Sequence, residues 1–72
     1  MEIRYKPFTV HITSQRSCVR RYVCRRATEE QAIHAADKLL KGAPGAVVEI
    51  YRDRGSRDME LVSVLGGYQR AS

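Results

Sequence analysis

The chain has 72 residues, 43% of them hydrophobic, and a formal net charge of +5. At that length it makes one domain that buries only about 60% of the surface its unfolded form exposes, which excludes a deep catalytic cleft. No run approaches the roughly 18 apolar residues of a membrane span, and the amino terminus lacks the apolar stretch of a secretion signal, so the expectation is a cytoplasmic protein.

The charge is unevenly placed. Ten of the thirteen basic residues are arginine, and residues 1–27 hold seven basic residues against Glu2 alone, while residues 28–72 hold six against seven acidic ones. Arginine suits phosphate, carboxylate and aromatic faces, so the amino-terminal part of the chain is the cationic end.

In chain order, residues 3–13 are rich in β-formers. Phe8, Val10 and Ile12 alternate with Thr9, His11 and Thr13, as in a strand with one buried face. Pro7 suits only the start of such a strand. Residues 14–17 read as a polar turn and 18–26 as the return strand. Here the alternation is ambiguous: Val19 and Val23 share a face with Arg21 and Arg25, and Cys18, Tyr22 and Cys24 share the other with Arg20 and Arg26. Either strict register puts an arginine inside, so the reading takes Tyr22 and Cys24 as inward, with a bulge near Arg20 and Arg21.

Residues 28–41 have helical period, with Ala32, Ile33, Ala36, Leu39 and Leu40 on one side. Thr28-Glu29-Glu30-Gln31 has the form of a capping box, Gly42 suits a left-handed residue after the last turn, and Pro44 prevents continuation. Residues 46–51 follow as the most continuously apolar strand, with Val48 and Ile50 toward the helix. The run 52–58, centred on Gly55, reads as a charged hairpin tip, and residues 59–65 return as the fourth strand. Residues 1–67 thus form one domain and 68–72 a tail.

The resulting fold class is α+β, a ββαββ domain. If the helix carries the chain back along the sheet, the third strand lies beside the first, giving a four-stranded antiparallel sheet ordered 2-1-3-4 with the helix packed on one face.

Chemistry is sparse. Cys18 and Cys24 lie six residues apart on one strand, roughly 20 Å, where a disulfide needs α-carbons within about 7 Å. No C-x-x-C pair joins them to His11 or His34, so no metal is expected, nor any cofactor. Neither histidine stands in a recognisable relation to a serine and a carboxylate, and no phosphate-cradling glycine loop occurs, which points away from an enzyme. His34, four residues after Glu30, reads as a solvated pair member.

The uncovered sheet face is expected to carry Thr9, His11, Val19, Arg21, Val23, Arg25, Val47, Glu49 and Tyr51. Apolar residues on both faces imply that the outer one is covered by a partner or by a second copy in a homodimer. Arg20, Arg21, Arg25 and Arg26, the tip arginines Arg52, Arg54 and Arg57, and Tyr51 and His11 are the candidate binding residues. Guanidinium groups interleaved with rings suit phosphates and bases, so the leading expectation is a small noncatalytic module contacting nucleic acid with little sequence choice. The alternative is an interaction or inhibitor domain for an acidic protein. A cationic edge strand also serves simply to deter unwanted pairing.

The run Ala27-Thr28-Glu29-Glu30-Gln31-Ala32-Ile33 with Ala35-Ala36, followed by a strand and the turn Asp53-Arg54-Gly55, resembles small bacterial and phage ββαββ domains of unknown function. Some phage anti-CRISPR inhibitors share the outline. That resemblance implies occupation of a protein or nucleic-acid channel and a mobile-element origin, and it carries over no binding residue.

Overall fold

The computed structural model describes residues 6–14, 16, 19–55 and 58–67. Five elements follow one another: β1 (Phe8–Thr13), β2 (Arg20–Arg26), α1 (Glu29–Gly42), β3 (Val47–Asp53) and β4 (Met59–Gly66). The strands form one antiparallel sheet in the order β2-β1-β3-β4 with α1 against one face, the architecture expected from the sequence. The expected tail 68–72 lies outside the described residues, as do Cys18 and residues 3–5 of the expected first strand.

Local chemistry sets the helix limits. Thr28 is extended (φ −127°, ψ 159°) and its hydroxyl accepts from the Gln31 N–H at 3.1 Å, one half of the capping box, while Glu29 and Glu30 face the positive end of the dipole. At the other end Gly42 remains helical and is not the left-handed residue. The ring of Pro44 disfavours helical geometry at Ala43 (φ −141°, ψ 70°), which breaks the helix there, and the positive φ falls on Gly45 at 91°.

Val10, Val48 and Ile50, with no exposed surface, meet Ala32 and Ala36 of α1, also fully buried. Two alanines on the contacting stripe let the helix lie close to the sheet. Phe8, Ile12, Leu39, Leu40 and Leu65 close the core around them. Ile33, expected on that stripe, sits at its margin with 36% of its surface exposed.

The second strand is where expectation and structure part. A bulge does repair its register, but it falls at Val23 instead of near Arg20 and Arg21: Val10 pairs with Cys24 and His11 with Tyr22, leaving Val23 as the extra residue. Val23 and Cys24 both pack against the core. Consequently Arg20, Tyr22 and Arg25 lie opposite Thr13, His11 and Thr9 on the open face, while Arg21 and Arg26 lie opposite Ile12 and Phe8 on the helix side, at the two ends of the strand. Tyr22 is therefore not inward but 58% exposed, Arg21 and Val23 are not open-face residues, and Val19 precedes the strand. One extra residue beneath the helix lets two apolar side chains fill the middle and moves both arginines to positions that water reaches. β4 uses the same device at Val62, since Ile50 pairs with Ser63 and Tyr51 with Leu61.

Candidate binding surfaces

The open face is organised around Tyr51. Its hydroxyl accepts from Arg20 Nη1 at 2.7 Å and donates to Glu49 Oε1 at 3.1 Å; Arg20 Nη1 also stands 3.8 Å from that carboxylate, and the guanidinium carbon lies 5.2 Å from the ring centre. His11 packs edge-on against Tyr51 and Tyr22, with centroids at 5.2 and 5.8 Å, and its Nε2 lies 3.2 Å from the Thr9 hydroxyl. Arg25 Nη2 reaches across β1 to Asp53 Oδ2 at 3.6 Å. Two guanidinium groups therefore face two carboxylates, and the centre of this face carries no net charge. Toward β4 it becomes apolar, with Met59, Leu61 and Val64 exposed by 41%, 48% and 55%.

Burial and the Arg20 guanidinium hold the His11 imidazole below its ordinary 6.5, against a smaller upward pull from Glu49. A base whose folded pKa is lowered takes up its proton first in the unfolded chain. Its stabilising contribution is therefore complete above 6.5 and is lost as pH falls below that value toward the folded one. Melting temperatures measured through this window should fall with pH in the wild type and fall less in His11→Gln; equal slopes would exclude His11 as the source.

At the hairpin tip the pattern repeats. Arg52 Nη2 lies 2.8 Å and Arg54 Nη1 3.7 Å from Glu60 Oε1. The turn is held by Gly55 N–H donating to Asp53 Oδ1, Arg54 N–H to the Asp58 carbonyl and Asp58 N–H to the Gly55 carbonyl, each at 2.8 Å, with Gly55 at φ 86°. Arg57, the third tip arginine, lies outside the described residues.

Of the six cations without an ion pair among the described residues, Lys6, Arg26 and Lys38 lie together along the flank between β2 and α1, while Arg16, Arg21 and Lys41 lie apart from them. Arg26, Lys6 and Lys38 line an open cleft of about 850 Å³ together with His34, Thr28, Gln31, Ala35 and Glu30. It adjoins a smaller open depression of about 290 Å³ walled by Val23, Cys24 and Leu39, with Arg26, Ala35 and Lys38 shared by both. Of the candidate binding residues named from the sequence, Arg26 alone lies here among the described ones, and Arg21 sits exposed at the far end of the same strand. Lys6 and Lys38 had no signal of their own, being single charges on otherwise ordinary elements that only the fold brings together. Asp53 and Glu60 were legible as acids but not as the partners that neutralise Arg25, Arg52 and Arg54.

Among the described residues no group of three or more His, Cys, Asp or Glu side chains is placed to hold a metal ion, and no helix is long and apolar enough to cross a membrane. Comparison with protein-family models, with curated proteins and with solved structures finds no match to this chain.

Proposed function

We propose that the protein is a noncatalytic binding module, and that its ligand is an acidic region of another protein. The observation that carries this reading is the distribution of neutralised and bare cations. Arg20, Arg25, Arg52 and Arg54 each have a carboxylate of the same chain within 4.0 Å, while Lys6, Arg26 and Lys38 cluster around a cleft with an apolar end.

The ion pairs do not themselves lock the arginines. Half-exposed pairs of this kind contribute about 0.2–1 kcal/mol, so a phosphate could displace the carboxylate from its guanidinium. The displaced carboxylates, however, stay on the same small face and repel the next phosphate. A nucleic-acid backbone requires a run of several bare cations to release its counterions, and among the described residues the open face carries no such run. A short cationic cluster beside an apolar cavity instead matches a carboxylate-bearing protein surface, where charge steers and apolar contact holds. An inhibitor built this way would act by occupying its partner's acidic surface.

Nucleic acid stays as the second reading because the whole chain has a formal charge of +5 and Arg21 is exposed without a carboxylate among the described residues. Immobilised protein incubated with cell extract discriminates the two. Capture of a partner that survives nuclease treatment, together with weak retention of labelled single- and double-stranded oligonucleotides at physiological salt, is the expected result. Retention lost on nuclease treatment, with oligonucleotide binding whose logarithm falls steeply against the logarithm of salt, would overturn the proposal in favour of nucleic acid.

A further inference from the structure

The two edges of the helix meet the sheet through different side chains. On the β4 side α1 lies tight, with the Leu40 side chain pressed against Gly66. Along the β2 edge of the helix lie two adjoining open depressions, both lined by Arg26, Ala35 and Lys38. The bulge at Val23 turns two apolar groups toward the helix edge, and the small side chain of Ala35 beside them leaves a shallow depression.

The smaller cavity, about 290 Å³, is walled by the apolar groups of Val23, Cys24, Ala35 and Leu39, and the aliphatic stems of Arg26 and Lys38 extend the same lining. The depression is open to solvent, so it would hold an apolar side chain presented from outside. The larger cleft adds Lys6 and His34 at its rim, against the single carboxylate of Glu30. Apolar floor and cationic rim are thus side by side along one groove bordered by β2, whose outward backbone groups have no sheet neighbour among the described residues.

Resting on the acidic-protein reading above, we propose that this groove is the docking site, and that its occupant is a protein segment with one large apolar side chain between carboxylates. The side chain enters the cavity beneath the bulge, and the carboxylates meet Arg26 and Lys38 on one side and Lys6 on the other. A cationic edge rejects neutral and basic strands, which would strip water from its charges without replacing it; an acidic segment is the one kind that gains there. A second copy of this chain, itself at +5, is disfavoured in the groove by the same charge.

The test uses a labelled peptide of alternating glutamate and serine with one central phenylalanine, the same peptide with central alanine, and a single-stranded oligonucleotide, each titrated against the wild-type chain by fluorescence anisotropy. Because burying a phenylalanine against an apolar wall is worth one to two decades in affinity, the phenylalanine peptide should bind roughly tenfold or more tighter than the alanine peptide. Ala35→Phe, which fills the cavity without changing charge, should erase that difference; Lys38→Glu, on the exposed helix surface, should weaken both peptides. On the wild type, the phenylalanine peptide should slow alkylation of Cys24, read by mass spectrometry of the fragment that contains it, so the assignment remains testable even where a variant unfolds. Equal binding of the two peptides with Cys24 unprotected would overturn the groove assignment while leaving the acidic-protein reading standing. Binding of the oligonucleotide with neither peptide retained would overturn both.

Discussion

Ile50→Ala is expected to lower stability by about 3–5 kcal/mol, enough to leave the protein only marginally folded at room temperature. The side chain is fully buried, central in β3, and belongs to the cluster of Val10, Ala32, Ala36 and Val48. Truncation removes the transfer free energy of the lost carbons and adds the cost of the cavity left behind. Neighbours cannot move in to fill it, because Ala32 and Ala36 have no further length to offer and Val10 and Val48 are fixed at χ1 by branching. A domain this small has stability on the order of 5 kcal/mol, with no second layer of core to compensate. Urea unfolding followed by far-UV circular dichroism gives the number. Leu61→Ala is the control: the same class of truncation on the open face, 48% exposed, should cost well under half as much. Equal losses at the two positions would mean that the open face is buried in solution by something else.

A second large effect is expected at Gly66, for two reasons that add. Its φ of 78° lies in the left-handed region, where a side chain costs roughly 1–2 kcal/mol. A Cβ there would also stand 2.7 Å from the Ala46 carbonyl oxygen and collide with the Leu40 side chain. That carbonyl cannot retreat without loss, because it accepts the Gly67 N–H at 2.7 Å. Gly66→Ala should therefore lose roughly 2–4 kcal/mol. Gly55, at φ 86° in open space, supplies the comparison: alanine there meets nothing within 4 Å and should cost only the conformational part. If Gly55→Ala and Gly66→Ala lower the urea midpoint equally, the close approach of Leu40 to β4 is not what holds the helix on that side.

The helix, the four strands and their order were legible because each rests on a local signal. Thr28 and Pro44 mark the helix ends, the period of residues 28–41 marks its face, and the continuous apolar run through Val48 and Ile50 marks an inner strand. Antiparallel order then follows from connection geometry alone. The register of β2 was not legible in the same way. Its alternation is split between two faces with arginines on both, and what decides between them is whether Val23 and Cys24 can share the space under α1, a question of packing that no window of sequence contains. A bulge was the correct remedy in kind, but its position determines which arginines face which way, and so Arg20 and Tyr22 exchanged places with Arg21 and Val23 in the site.

The candidate site suffered most from a different kind of blindness. Lys6, Arg26 and Lys38 come from the start of the chain, the end of an edge strand and the middle of a helix, and their convergence is purely tertiary. Charge compensation is equally remote from sequence: Arg25 and Asp53 stand 28 positions apart on strands that are not neighbours, joined over β1. Counting arginines therefore overstated how much positive charge the open face presents.

Because Val23 is the surplus member of β2, the strand holds one place where the chain can be shortened at no cost to its alignment. Deleting that valine leaves Tyr22 followed directly by Cys24, and every pairing with β1 survives, Val10 with Cys24 and His11 with Tyr22. Removing Tyr22 or Cys24 instead would oblige the remaining residues to shuffle sides to fill the vacated position. A one-residue deletion in this strand therefore keeps the register when it falls on Val23, and Val62 holds the equivalent position in β4.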